Sequence, residues 1–250
     1  MKLIAGIIAS ILACLLISVA IELPRFGDPH SPANEYVASY YLENAYKDGH
    51  VPNVITSVLA DYRSFDTMFE TCVVFIAGVG IMAILFGTSK KSKHAVQIKS
   101  LPSNNSVIIQ TATRFIVPMM QLFAFYVVAH GHYSPGGGFQ GGVVLAASLI
   151  LLALAFQLKG GLAFMSKKAM IGYATAGVLL YAGIGVVCML YKADFLDYSA
   201  LAYVLPSTDK VMARSHGMLG VEIGVTLTVM SILFGIYTQL ASNGHMDEGL

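Results

Sequence analysis

Phe139-Gln140-Gly141-Gly142-Val143-Val144-Leu145-Ala146-Ala147-Ser148-Leu149-Ile150-Leu151-Leu152-Ala153-Leu154-Ala155-Phe156-Gln157-Leu158 runs for twenty residues without a charged side chain. At 1.5 Å per residue, a helix of that length spans about 30 Å, the thickness of a bilayer's hydrocarbon core. Further runs of this kind lie on either side, at roughly 3–21, 69–87, 113–130, 170–191 and 217–240. The run at 113–130 has Gln110 and Arg114 near its start and contains Pro118. It still reads as a span, because neighbouring helices can re-satisfy the backbone freed by proline. The expected fold is an all-α integral membrane protein of about six transmembrane helices.

Composition agrees. Only 12% of the 250 residues are charged, against about 25% in a soluble domain. Mean hydropathy is +0.69. A net charge of +1 gives no footprint for nucleic acid, and none is expected as a partner. Cys14, Cys72 and Cys188 lie far apart in apolar runs, so neither a disulfide framework nor a metal cluster is expected. With no Trp, anchoring at the membrane surface falls to Tyr and charged side chains.

The first run has a rival reading. Lys2, the apolar stretch and Ser18-Val19-Ala20 resemble a cleavable signal peptide, and Ile11-Leu12-Ala13-Cys14 loosely resembles a lipoprotein box. The run is long for a signal-peptide core, so a retained helix is expected. Lys90, Lys91, Lys93, Lys99 and Arg114 share a side with Lys2, Lys159, Lys167 and Lys168. Arg25, Lys47, Arg63, Lys192, Lys210 and Arg214 fall on the other side, in longer loops. The positive-inside rule then puts both termini in the cytoplasm of a cell-membrane protein. Residues 88–106, with Lys90-Lys91-Ser92-Lys93 and Leu101-Pro102-Ser103-Asn104-Asn105, read as a solvated linker. It divides the chain into a two-helix unit, 1–100, and a four-helix unit, 101–250.

Six spans put the first, third and fifth loops on one face, and most of the unusual polar residues fall there. Glu222, between Gly220-Val221 and Ile223-Gly224, lies inside a span. With Ser215 as the helix N-cap, it sits about 10 Å along the axis. An ionisable group at the centre of a span costs about 3 kcal/mol or more and commonly marks an ion or proton route. The alternative is a carboxylate within headgroup reach, or one neutralised by Arg214 or His216. Thr67-Met68-Phe69-Glu70 fits a capping box as well as an ion-pathway carboxylate. Arg63 and Asp66 can pair with each other at the surface.

His130 and His132 are spaced so that a helix would point them apart, and without a third ligand they make no metal site. Either could relay protons, or simply hold a loop by hydrogen bonds. Gly136, Gly137, Gly138, Gly141 and Gly142 lack the lysine of a phosphate loop. Gly138, Gly142 and Ala146 recur every four residues, as do Gly220 and Gly224. That is a small-residue stripe for helix packing, or the start of a broken helix whose N-terminus faces an ion path. There is no Gly-x-Ser-x-Gly elbow, no paired-Cys motif and no haem signature, so neither enzyme activity nor a cofactor is expected.

Ala129-His130-Gly131-His132-Tyr133-Ser134-Pro135-Gly136-Gly137-Gly138-Phe139-Gln140-Gly141-Gly142 resembles the signature of the B-type subunit (MnhB) of Mrp (Mnh) Na+/H+ antiporters. Arg214-Ser215-His216-Gly217-Met218-Leu219-Gly220-Val221-Glu222-Ile223-Gly224-Val225 is similar to that family's last helix, and Phe195-Leu196-Asp197-Tyr198-Ser199-Ala200-Leu201 to its preceding loop. Together they cover about residues 101–250. Asp61-Tyr62-Arg63-Ser64-Phe65-Asp66-Thr67-Met68-Phe69-Glu70-Thr71 resembles a Tyr-Arg-Gly-Phe-Asp-Thr-x-x-Glu motif. That motif occurs near the C-terminus of the large A-type antiporter subunit and in a small E-type subunit of membrane-bound hydrogenases. Ser64 stands where the family usually has Gly, and Phe69 where it often does. The resemblance implies a fusion of two non-catalytic subunits working within a multi-subunit antiporter or hydrogenase-type respiratory complex. It also implies a part for Glu70 in passing Na+ or H+. A scaffold subunit with no ion path is the remaining alternative.

Overall fold

The computed structural model describes residues 2–89, 107–205 and 209–242; the linker read at 88–106 lies, from Lys90 onward, outside them. The helices are α1 (Lys2–Glu22), α2 (Ser39–Gly49), α3 (Val54–Ser57), α4 (Ser64–Ser89), α5 (Val107–Ala129), α6 (Gly138–Ala155), α7 (Gln157–Phe164), α8 (Lys167–Leu190) and α9 (Lys210–Ala241). Among the described residues there is no strand, and six helices are long and apolar enough to cross a membrane: α1, α4, α5, α6, α8 and α9. Pro118 is accommodated inside α5, which continues through it.

Residues 1–44 form one compact unit and 45–250 another. In the first, α1 is followed by a π-helical turn, Ala33–Ala38, steadied by an exposed His30–Glu35 contact of 2.8 Å. The apolar side chains of α1 are exposed along its whole length.

The second unit is built around α9. Of its most apolar window 67% is buried, against 17% for α4 and 22% for α5. It packs against α4, α5, α6 and α8. Small residues allow this. A Cβ on Gly142 would stand 3.0 Å from the Thr226 carbonyl, and one on Gly224 2.7 Å from the Gly177 carbonyl. Gly138 lies directly against the backbone of Glu222. Without a hydrophobic drive between helices in lipid, such close backbone approach is a main source of association. Two hydroxyls pin the contacts: Thr226 donates to the Gly138 carbonyl at 3.0 Å, and Thr228 to the Ala174 carbonyl at 3.2 Å. Gly220 meets Ile184 of α8, while Gly141 turns the other way, towards α5.

Two helix starts differ from expectation. α9 begins at Lys210, capped by Asp209, whose carboxylate accepts from the Met212 N–H at 2.7 Å; Ser215 is not the cap. α4 begins at Ser64, so Thr67 and Glu70 already lie inside the helix and form no capping box. Both errors have one cause. An apolar window marks the part of a helix that lipid surrounds, whereas the helix itself runs on into its polar flank.

Candidate functional site

Glu222 lies thirteen positions beyond the Asp209 cap, about 20 Å along the axis of α9. Its level is set by α6, which starts beside it: Gly138 touches the Glu222 backbone. The 18 residues of α6 span about 27 Å, close to a full hydrocarbon thickness. Glu222 therefore sits towards the loop end of the bundle rather than at its middle.

The first, third and fifth loops close over this end. Asn53 donates from Nδ2 to the carbonyls of Gly131 at 2.8 Å and Ser134 at 2.9 Å, and its N–H donates to the His132 carbonyl at 2.9 Å. Thr56 adds a hydroxyl bond to the Gly131 carbonyl at 2.7 Å. Arg214 of α9 donates from Nε at 2.9 Å and from an Nη at 2.7 Å to one oxygen of Asp61. Tyr62, beside that guanidinium, donates to Asp48 at 2.7 Å. The 3-10 turn Tyr198–Tyr203 seats the buried Tyr198 ring against Gly217. Tyr181 of α8 donates to the Ser64 carbonyl at 2.8 Å, tying α8 to the start of α4.

Beneath this roof lies a cavity of about 190 Å³, with Glu70, Thr67, Thr71 and Thr56 on one side and Gly136–Gln140 and Glu222 on the other. Glu70 is exposed, whereas Glu222 is 8% exposed and its Oε2 is buried without a hydrogen-bonding partner among the described residues. Glycine backbone presses on its carboxylate. A Cβ on Gly137 would stand 2.8 Å from Oε1, and one on Gly131 3.2 Å from Oε2. Gly137 has φ +134°, a conformation open to glycine and rarely to other residues. It places the first residue of α6, and with it the positive end of that helix, beside the carboxylate. The stripe thus packs α6 on α9 and also delivers a helix N-terminus to Glu222. Loop three itself is a turn between two antiparallel spans, not a break within one.

The remaining sequence candidates divide. His132 is buried at the roof, with Nδ1 3.3 Å from the Ser215 hydroxyl and Nε2 without a partner among the described residues. Burial first, and the nearby His216 second, hold its imidazole below the ordinary value. His130 is exposed and stacks on Tyr126, with ring centroids 4.1 Å apart. His216 is exposed and lines no part of the cavity. Arg63 and Asp66 pair with each other at 2.5 Å, both more than half exposed. Arg214 turns to Asp61, and no ion pair reaches Glu222 among the described residues. No group of three His, Cys, Asp or Glu side chains suited to a metal ion occurs among them either.

A family model described as a domain related to the MnhB subunit of Na+/H+ antiporters matches residues 108–235. The chain belongs to this MnhB-related family. A second model, MbhE, describing the E-type subunit of MBH, matches residues 10–99. The B-type subunit of a Na+/H+ antiporter from Bacillus subtilis (strain 168) is 34% identical over 134 residues, 52% of this chain and 93% of that protein. A probable K+/H+ antiporter protein of the combined A/B type, from Rhizobium meliloti (strain 1021), is 26% identical over 228 residues. That match takes in 81% of this chain, which spans only about a fifth of the Rhizobium protein, 22%. Two solved structures share the fold, each at 24% identity and a TM-score of 0.65. One is a chain of the membrane-bound sulfane sulfur reductase, an archaeal respiratory membrane complex, matched over 94% of this chain and 98% of that one. The other is a chain of the Mrp complex from Dietzia sp. DQ12-45-1b, matched over 98% of this chain and 26% of that one.

Within this MnhB-related chain, Glu222 and the glycine loop lie in the stretch matched by the first model, Glu70 and Asn53 in that matched by the second. The cavity is assembled from both. Sequence reasoning missed Asn53, Thr56, Tyr181, Gly177 and the Asp61 end of the ion pair. Asn53 precedes a short apolar stretch, as an N-cap does, but its loop partners lie 78 and 81 residues away.

Proposed function

We propose that this chain is a non-catalytic membrane subunit of a multi-subunit Mrp-type Na+/H+ antiporter, and that Glu70 and Glu222 lie on its route for Na+ and H+. One observation carries the reading: a buried carboxylate oxygen with no partner among the described residues faces a cavity that also reaches the exposed Glu70. A carboxylate buried in that way is stable only when it takes up a proton, a cation or water, and those are the species antiport exchanges. The hydroxyls opposite suit a hard cation. Thr67 donates to the Leu59 carbonyl at 2.7 Å and Thr71 to the Thr67 carbonyl at 2.8 Å, so both oxygens keep lone pairs for a ligand. His132 stands near as a relay that is neutral at physiological pH. His130, His216, Arg63 and Asp66 belong to the surface around this opening.

On this reading the chain joins a front unit, 1–100, to an MnhB-like unit, 101–250, and both termini face the cytoplasm. Larger partner subunits supply the driving step, and this chain performs no covalent chemistry and holds no cofactor. The experiment is antiport in inverted vesicles from an antiporter-deficient host expressing the whole complex with and without this chain. Na+-dependent proton movement that disappears without the chain and returns when it is supplied in trans supports the reading. Antiport that persists without it refutes the reading.

A second reading, the same module in a redox-driven respiratory complex, draws on the MbhE match and on the near-equal length of the sulfane sulfur reductase chain. It is distinguished by ion movement that requires an electron donor and acceptor.

A further inference from the structure

Asn53 is more than the cap of a short helix. Its Oδ1 accepts from the Ile55 N–H at 3.1 Å, which caps α3, while Nδ2 reaches the Gly131 and Ser134 carbonyls and the Thr56 hydroxyl, the last at 3.0 Å. With its backbone bond to the His132 carbonyl, one residue holds three carbonyls of the glycine loop. The other side of that loop is the surface that Gly131 and Gly137 lay on the Glu222 carboxylate. Between these points the loop contains Gly136 and Gly137, whose backbone has few intrinsic restraints. An untied glycine loop samples many conformations and would not hold two backbone segments in van der Waals contact with a carboxylate.

We propose that Asn53 is a positioning residue: by clamping loop three from α3, it fixes the glycine backbone around Glu222 and so sets the conditions under which that carboxylate exchanges its proton. The inference rests on the reading that Glu222 lies on the ion route. The groups able to influence this carboxylate are Glu70 of α4 across the cavity, His132 in the loop, Tyr181 of α8, and His216 on α9 itself. Arg214 is held by Asp61. Of these, only His132 belongs to the clamped loop; Glu70, Tyr181 and His216 lie on helices that a neutral change at Asn53 leaves in place.

Asn53→Ser is such a change. A serine hydroxyl caps a helix well but is too short to reach the loop carbonyls. The measurement is the pH profile of Na+-dependent proton movement by the whole complex in vesicles, for wild type, Asn53→Ser, Thr56→Val and Glu222→Gln. The expected result is an assembled Asn53→Ser complex whose profile midpoint moves by about one pH unit or more, with a smaller move for Thr56→Val. A purely structural role would reduce the amount of complex and its maximal rate but leave the midpoint in place. A wild-type midpoint in Asn53→Ser, with Glu222→Gln inactive, overturns the clamp and leaves the ion route standing. If Asn53→Ser fails to assemble, Thr56→Val decides, and an unmoved midpoint there overturns the proposal. Normal transport in Glu222→Gln overturns the reading beneath it.

Discussion

Arg214 closes on Asp61, with two nitrogens on one carboxylate oxygen at 2.9 and 2.7 Å, and leaves Glu222, two turns further along the same helix, without a cationic partner among the described residues. The pair joins the start of α9 to the loop that precedes α4, and its side chains are 26% and 7% exposed. The Arg214 guanidinium is thereby taken up by the roof rather than by the carboxylate beneath it.

Removing one member of so buried a pair should be costly. Arg214→Met strands the Asp61 carboxylate, and a loss of about 3 kcal/mol is expected. Thermal unfolding of the purified complex in detergent measures it. The double variant Asp61→Asn with Arg214→Met should recover most of the lost stability, since no charge is then buried unpaired.

The α6–α9 contact gives a second expectation. Gly138→Ala drives a methyl group into the Glu222 backbone, which cannot yield as a side chain can, and overpacking of this kind costs about 1–3 kcal/mol. Gly172→Ala on α8 is the control, because among the described residues nothing outside its own helical turn lies within 4 Å of the added carbon. Thermal unfolding should separate the two, with Gly172→Ala at or slightly above wild type.

His132 gives stability a pH dependence. Burial holds its imidazole below the ordinary value of 6.5, so the unfolded chain binds this proton more readily than the folded one. The contribution is fully present above about pH 6.5 and is lost as pH falls from there through the folded value, with a limiting slope of about 1.4 kcal/mol per pH unit. Thermal unfolding of wild type and His132→Gln between pH 8 and pH 5 tests this. The difference between them should change with that sign below pH 6.5 and stay flat above it.

The spans could be read from sequence because a bilayer imposes a length and an apolar composition that twenty uncharged residues satisfy unaided. Glu222 could be singled out because a carboxylate inside such a run is expensive, whereas Glu70 stood out through the family motif it shares rather than through its spacing. The helix starts at Ser64 and Lys210 could not, since polar residues continue a helix beyond lipid as readily as they end it. Asn53, Thr56 and Tyr181 escaped for another reason. Each is an ordinary polar residue locally, and its meaning comes from carbonyls 75 or more residues away. Gly177 stood in no visible stripe and gained its role from Gly224 on the facing helix.

The most direct test compares Na+-dependent proton movement in inverted vesicles carrying the intact complex, wild type against Glu70→Gln and Glu222→Gln, with co-purification of partner subunits confirming assembly. The account predicts that both variants assemble and that each loses most of its transport. Assembled complexes with wild-type transport in both variants would contradict it and leave the chain as scaffold.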